Sequence, residues 1–135
     1  MILDRLGSAY QLYLLSIFRF ITGLLLFHFA VAKLFKFPLV ATFEDVTPLS
    51  LFGVAGMLEL ILGGMLMLGL LTRIAAFFLS GEMAFAYFIE HFPESFFPLL
   101  NGGTLAIILC FACLYLAAAG GGPLSLDTLL QPKGN

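Results

Sequence analysis

The sequence predicts an all-α integral membrane protein folded as a four-helix bundle. Of its 135 residues, 61% are hydrophobic and only 10% are charged, whereas about a quarter of the residues in a soluble domain are charged. Four apolar runs occupy more than half of the chain, and each is close to the ~20 residues that a membrane-spanning helix needs. These observations indicate a single membrane domain over residues 1–135.

The four predicted spans cover residues 13–34, 50–71, 74–90 and 100–118. The first ends before Pro38, because proline lacks a backbone donor and disfavours helix in the residue before it. A short turn around Gly69 joins the second span to the third, and a polar connection over residues 90–98 leads to the fourth. A glycine run followed by Pro123 ends the fourth span, since glycine and proline are helix stops.

The charges near the helix ends predict the orientation. The first apolar run is too long for the core of a signal peptide and has no clear cleavage site, so we expect a retained helix. Four spans place both termini on one side of the membrane. That side holds Arg5, Arg73 and Lys133, and the other holds Lys33 and Lys36. The small excess predicts cytoplasmic termini.

Ionisable side chains lie within the apolar runs, where they are costly and usually face a partner or a cavity. At ~1.5 Å per residue, four of them lie about 9, 12, 18 and 22 Å from the side of the termini: Arg19, Glu82, Glu59 and His28. They belong to three different helices and overlap in depth. A bundle that turned them inward would pair Arg19 with Glu82 or Glu59, and Glu59 with His28.

Helical periodicity favours an inward position for Glu59. At about 100° per residue, Gly56, Glu59 and Gly63 fall on one stripe, and small residues allow membrane helices to approach closely. Glu82 shares a stripe with alanines in the same way. Two interpretations stay open. The charges form an internal ion pair that fixes helix register, or they form a site that binds a small polar or quinone-like ligand or relays protons.

Cys110 and Cys113 form a CxxC pair within the fourth span. Four-helix membrane thiol–quinone oxidoreductases also use such a pair, but reactive pairs lie near a helix end, where the thiolate is favoured. In mid-helix the Cβ atoms at i and i+3 are further apart than the ~3.5–4.5 Å of a disulfide. We therefore expect the two cysteines to be packing residues.

The sequence gives little support for a metal, nucleic-acid or nucleotide site. A metal site needs about three ligands, and no ligand spacing joins His28 to Glu59 and Glu82, so no metal is expected. We expect His28 to be a buried, hydrogen-bonded histidine and His91 to lie in a solvated loop beside Glu90. The net charge of −2 gives no reason to expect a nucleic-acid partner. The sequence contains no phosphate loop, nucleophile elbow or nucleotide fingerprint.

Six stretches carry a family resemblance: His28 with Lys33–Pro38, Gly56–Glu59 with Gly63 and Gly64, Leu68–Arg73, Glu82–Ala84 with Ala86 and Tyr87, Phe97–Gly103, and Gly120–Asp127. In their order and spacing the chain resembles the DoxX family of small four-helix bacterial membrane proteins. The resemblance implies a bundle in the inner membrane with cytoplasmic termini and a link to quinone-coupled redox chemistry or oxidative stress. It also makes Arg73 and Asn101 secondary site candidates. Thr104 departs from the pattern, because relatives commonly carry an acid after Asn-Gly-Gly.

The resulting expectation is a DoxX-like inner-membrane protein that supports quinone-linked redox chemistry or oxidative-stress defence. A quinone-like ligand would bind near Arg19, Glu59 and Glu82, with Arg19 holding a carbonyl or anionic oxygen and one acid carrying a proton. One alternative is a non-enzymatic small transporter, lipid-binding or scaffold subunit whose charges are structural. Another is a thiol oxidoreductase that uses Cys110 and Cys113.

The expected partners follow from this predicted quinone-linked function. They are the lipid bilayer, a quinone-like small molecule, and either a second copy of the chain or a soluble redox partner. The sequence leaves open whether the chain is an enzyme or a membrane subunit of a quinone-linked oxidoreductase.

Overall fold

All regular structure in residues 1–132, the range that the computed structural model describes, is helical. Four long helices and two short ones follow one another along the chain: α1 (Ile2–Phe35), α2 (Leu51–Leu68), α3 (Thr72–Ala86), α4 (Pro98–Asn101), α5 (Thr104–Ala119) and α6 (Leu126–Leu130). A π-helical turn, Tyr87–His91, continues α3, and a 3₁₀ turn, Ala41–Phe43, lies in the linker between α1 and α2. The predicted all-α membrane bundle is confirmed.

Three helical segments within the described range are long and apolar enough to cross a membrane: Ile2–Phe35, Leu51–Leu68 and Thr72–His91. The fourth long helix, α5, is also apolar but has only 16 residues. At ~1.5 Å per residue it is ~24 Å long, whereas α1 is ~51 Å long. The bundle therefore contains helices of very different lengths.

The helix bounds differ from the predicted spans mainly at α1 and α5. α1 begins at Ile2 and not near residue 13, because its first turns contain good helix formers and no proline. The segment predicted at 100–118 is divided between α4 and α5 at Gly102, whose φ of 72° is left-handed. The apolar pattern indicates which segments are helical, but it does not show where a helix continues into polar sequence.

Local sequence sets the ends of α2 and the start of α3. The Ser50 hydroxyl accepts a hydrogen bond from the Gly53 N–H at 3.1 Å and so caps α2. α2 ends at Gly69 with a φ of 69°, and Leu71 follows with a φ of 47°. Because α3 begins directly afterwards at Thr72, α2 and α3 are close antiparallel neighbours.

The bundle consists of two packed pairs, α1 with α2 and α3 with α5, which are joined where α2 meets α3. Glycines allow α1 and α2 to approach closely: a Cβ added to Gly23 would lie 2.7 Å from the Met67 nitrogen and 2.9 Å from the Gly63 oxygen. The same register places Lys33 beside Gly56. The core contains Leu26, Leu66, Ala76, Leu79, Met83, Leu109, Cys113 and Leu116.

Candidate functional site

Glu59 pairs with Lys33, near the end of the bundle that carries the α1–α2 linker. The Lys33 ammonium donates to Oε1 of Glu59 at 2.7 Å and to Oε2 at 2.9 Å. The Lys33 and Glu59 side chains are only 9% and 2% exposed. Because side chains lean toward the N-terminus of their helix, Lys33 reaches back from the end of α1 to the level of Glu59. A buried charge is tolerated when it is paired and hydrogen-bonded in this way.

Glu82 lies beside this pair but has no donor of its own. Both of its carboxylate oxygens are buried, and neither has a hydrogen-bond partner within residues 1–132. Glu82 lines one small cavity, of about 60 Å³, together with Lys33 and Glu59. We call these three residues the acid–lysine cluster. In this cluster one ammonium group faces two carboxyl groups.

A larger cavity, of about 360 Å³, lies between the acid–lysine cluster and the linkers. Its volume is within the ~300–1,000 Å³ typical of small-molecule sites. Lys33, Glu59, Glu90 and His91 contribute its charged and titratable groups. Its remaining lining comes from Phe29, Thr42, Phe43, Phe52, Met83, Ala86, Gly102, Leu105, Ala106 and Leu109. We call it the aromatic cavity.

The α1–α2 linker supplies one wall of the aromatic cavity. The Phe43 ring centroid is 5.5 Å from the Lys33 Nζ, within range of a cation–π interaction. It is also 6.4 Å from the ring of Phe29 and 6.1 Å from that of Phe52. Lys36 holds this linker in place, since its ammonium donates to the carbonyls of Phe43 at 2.6 Å and Val46 at 2.7 Å. Lys36 therefore acts as a support for the wall.

Another wall comes from the π-helical turn, which places His91 and Glu90 half-buried at the cavity and not in a solvated loop. His91 Nδ1 is 3.0 Å from the Asn101 carbonyl oxygen. The buried Asn101 amide donates to the Tyr87 hydroxyl at 3.2 Å and to the Ser95 carbonyl at 2.9 Å. Asn101 thus fixes the shape of this wall.

Arg19 binds main-chain carbonyls at the other end of the bundle, so its predicted pairing with Glu59 or Glu82 is wrong. Its guanidinium donates at 2.6–2.9 Å to the carbonyls of Leu66, Met67, Gly121 and Leu124. Two of these carbonyls lie in the last turn of α2, the negative end of the helix dipole. A guanidinium carries five donors and can serve several acceptors at once. We call Arg19 and its four partners the carbonyl clamp.

Asp127 reinforces the same end of the bundle. Its carboxylate accepts hydrogen bonds from the N–H groups of Leu71 at 2.7 Å and Thr72 at 2.9 Å, at the start of α3. Partial burial acts to raise the pKa of Asp127, but the hydrogen bonds from Thr72 and Leu71 and the charge of Arg19 hold that pKa below its ordinary value. A negative charge at the N-terminus of a helix is also favourable.

The predictions for His28 are wrong, because the structure exposes this residue on the outer face of α1. His28 is two positions from each of the buried residues Leu26 and Ala30, so it points away from the face that they share. It is therefore neither buried nor in a position to pair with Glu59.

The remaining candidates lie outside the cavity. Arg73 is exposed and donates to the carbonyls of Ala117 and Ala118 at the end of α5. Both cysteines are free thiols; Cys113 is fully buried in the core and Cys110 is half-buried. Within residues 1–132, no three His, Cys, Asp or Glu side chains are arranged to hold a metal ion.

Lys33 is the candidate site residue that the sequence pattern did not indicate, because its position near the end of the apolar run suggested a flanking charge. Helical periodicity contains the signal. Arg19, Leu26 and Lys33 recur every seven residues, and all three are buried. A lysine on the buried stripe of a helix needs a partner, and Glu59 is on the buried stripe of the next helix.

Comparisons with known proteins place the site within a matched region. A family model described as DoxX matches residues 14–92, which include Lys33, Glu59 and Glu82. A protein from Haemophilus influenzae, described as uncharacterized, is 38% identical over 132 residues, which cover 93% of this chain and 97% of that protein. No solved structure matches the chain significantly.

Proposed function

Because the chain belongs to the DoxX family of membrane proteins, we propose that it binds a small quinone-like molecule in the aromatic cavity. Through this ligand it supports quinone-linked redox chemistry or oxidative-stress defence. The observation that carries the proposal is a cavity of about 360 Å³ in which aromatic walls meet the Lys33–Glu59 pair. A mostly apolar pocket with a few converging polar groups is the usual form of a small-molecule site.

The chemistry of the cavity suits a flat ring that carries carbonyl oxygens. Phe29, Phe43 and Phe52 offer ring faces and edges for aromatic contacts. The Lys33 ammonium has three donors, and Glu59 accepts two of them. The third donor is available to a ligand oxygen, so in this proposal Lys33 takes the role that the sequence suggested for Arg19.

Glu59 and Glu82 are the proposed proton carriers. Reduction of a quinone to a quinol takes up two electrons and two protons. Acids within the membrane are the groups that proton relays use, and both acids adjoin the Lys33 ammonium that would contact the ligand. In this proposal a soluble redox partner supplies the electrons.

We also propose that the protein lies in the bacterial inner membrane with both termini in the cytoplasm. Arg5 and Arg73 support this orientation, whereas Lys33 and Lys36 on the other side are engaged with Glu59 and with backbone carbonyls. Lys133, which also supports it, lies outside the described residues. Fluorescent-protein fusions at either terminus should fluoresce and alkaline phosphatase fusions should be inactive; active phosphatase at a terminus would contradict the orientation.

The test of the ligand is equilibrium binding of a short-chain quinone to purified protein in detergent, with empty micelles as the partition control. We expect saturable binding that weakens at least tenfold in Lys33→Met and in Phe43→Ala. Arg19→Lys is the matched control, because Arg19 lies in the carbonyl clamp away from the aromatic cavity. Circular dichroism establishes that each variant is folded.

A non-enzymatic role with structural charges is the second candidate, and the low exposure of the Lys33–Glu59 pair favours it. It predicts no saturable quinone binding in the folded wild-type protein, and variants of the pair that only lower the melting temperature. Equal binding by all of the variants would also contradict a site in the aromatic cavity.

A further inference from the structure

We propose that Glu82 is a proton-binding site, which holds a proton while Lys33 is paired with Glu59 and which hydrophobic reagents reach from the lipid side of the bundle. The proposal does not rest on the quinone ligand. It concerns the state of one acid, and its test uses no quinone.

The charges that face Glu82 leave this acid without a counter-ion. Lys33, from α1, donates to both carboxylate oxygens of Glu59, from α2. Glu90, on the continuation of α3, lines the same small cavity and adds another acid. One ammonium cannot neutralise two buried carboxylates. An ionised carboxylate without a partner is strongly unfavourable in apolar surroundings, whereas a protonated one is not.

The groups on the other neighbouring elements do not supply the missing charge. From α5, Cys110 shares a groove with Glu82 and Cys113 lies nearby, and both are thiols. His91 lines the aromatic cavity, where its Nδ1 is occupied with the Asn101 carbonyl. None of these groups is a cation that pairs with Glu82.

The hydrogen bonds around Glu82 agree with a bound proton. Neither of its buried oxygens has a donor within residues 1–132. The Ser80 hydroxyl, two residues away, donates instead to the Cys110 carbonyl at 2.8 Å. A protonated carboxyl group is itself a donor, and the Glu59 carboxylate beside it is a suitable acceptor. A single proton on Glu82 therefore both removes its uncompensated charge and supplies a donor for a hydrogen bond within the acid–lysine cluster.

A shallow apolar groove on the outer surface of the bundle gives access to Glu82. Leu58 and Leu62 of α2 line it, as do Phe77, Phe78, Gly81 and Phe85 of α3. The three phenylalanines are 60–62% exposed, so this surface faces the lipid. A Cβ added to Gly81 would meet no atom within 4 Å. A hydrophobic molecule dissolved in the bilayer can therefore approach Glu82 without entering the aromatic cavity.

The test is labelling of the full-length protein in lipid vesicles by dicyclohexylcarbodiimide, a hydrophobic reagent that modifies protonated carboxyl groups. The carboxyl proton passes to one carbodiimide nitrogen and the carboxyl oxygen bonds to the central carbon. Rearrangement to the N-acylurea then adds the full mass of the reagent. Mass spectrometry after digestion locates the label and gives its rate between pH 6 and 9.

We expect Glu82 to be labelled at least tenfold faster than Glu90, and we expect this rate to fall as the pH rises. Glu82→Gln should abolish the fast labelling, whereas Glu94→Gln, the same change at an exposed residue of the connection after α3 that lines neither cavity, should preserve it. Lys33→Met removes the cation that balances Glu59, so Glu59 should then become labelled as well. Gly81→Leu, at an exposed position with open space around it, should fold normally and slow the labelling severalfold by covering the groove.

Two results would overturn the proposal. Labelling of Glu82 no faster than that of Glu90 would show that Glu82 is ionised in the membrane or that the reagent does not reach it. Labelling that Na⁺ or K⁺ suppresses at constant pH would show that a metal cation, and not a proton, balances this acid.

Discussion

Arg19 and Lys33 are two buried cations on the same face of α1, and the protein uses them differently. Arg19 distributes its charge over four backbone carbonyls, which its planar array of donors allows. Lys33 has a compact ammonium group and pairs with one carboxylate. Each side chain matches the acceptors around it, so exchanging arginine for lysine at either position is not a conservative change.

The effects of substituting Lys33 and Glu59 on the free energy of unfolding should not be additive. Lys33→Met or Glu59→Gln alone breaks the buried pair and leaves its other member without a partner, which typically costs ~3–5 kcal/mol. The double variant Lys33→Met/Glu59→Gln removes both charges and should recover much of this loss. Thermal unfolding in detergent, followed by circular dichroism, measures all four proteins. A double variant as unstable as the sum of the single variants would contradict the pairing.

At the scale of helices, the crossing of α1 and α2 depends on glycine. Gly23→Ala would place a Cβ within 3 Å of backbone atoms of Gly63 and Met67, and such overpacking typically costs ~1–3 kcal/mol. Gly81→Ala is the matched control, since a Cβ there meets open space and alanine favours the helix by ~0.5–1 kcal/mol. We expect Gly23→Ala to lower the melting temperature and Gly81→Ala to preserve or raise it. Equal effects would show that close approach does not limit the crossing.

The attachment of the C-terminal segment to α3 should depend on pH through Asp127. Its pKa is lower in the folded protein than in the unfolded chain. The stability that it contributes is therefore fully present above the ordinary Asp pKa of ~3.9 and is lost as the pH falls through the lower folded value. Wild type should be more stable than Asp127→Asn at pH 7, and the difference should shrink toward zero in strongly acidic buffer. A difference that is constant over this range would exclude the carboxylate as its source.

The sequence predicted the helical elements well because the signals for them are local. Apolar runs marked the long helices, and the periodicity of Gly56, Glu59 and Gly63 correctly placed these residues on a buried face. Helix ends were less accessible to prediction, because the extension of α1 to Ile2 depends on propensity in polar sequence. The linker conformation that brings Phe43 over Lys33 depends on tertiary contacts made by Lys36, which no local pattern contains.

At the scale of the whole molecule, the buried charges form two separate centres, the carbonyl clamp and the acid–lysine cluster. Depth along a helix led to the prediction of one centre, because it takes no account of direction around the helix axis or of backbone acceptors. The partners of Arg19 are all main-chain carbonyls, which the positions of acidic side chains in the sequence do not predict. The predicted pairing of His28 with Glu59 is wrong because of direction: the two residues lie at similar depth, but His28 points away from Glu59 around the axis of α1.

The separation of the two centres predicts additive effects on stability. Arg19 and Lys33 are fourteen residues apart on α1, or ~21 Å along the helix axis. Sites more than ~7–10 Å apart without shared partners usually add within ~0.5 kcal/mol. The double variant Arg19→Lys/Lys33→Met should therefore lower the free energy of unfolding by the sum of the two single-variant decreases, measured by unfolding in detergent. A coupling above ~1 kcal/mol would show that the two ends of the bundle communicate.

The length of α1 has a practical consequence for imaging. Its ~51 Å exceeds the ~30 Å hydrocarbon core of a bilayer, and the side chains of residues 1–14 are all exposed. A membrane protein of 14.7 kDa gives electron cryomicroscopy little mass from which to determine particle orientation. A soluble domain that ends in a helix, fused in phase to the first turn of α1, would share one continuous rod with the bundle. Its rigid attachment would make it a landmark for aligning the particles.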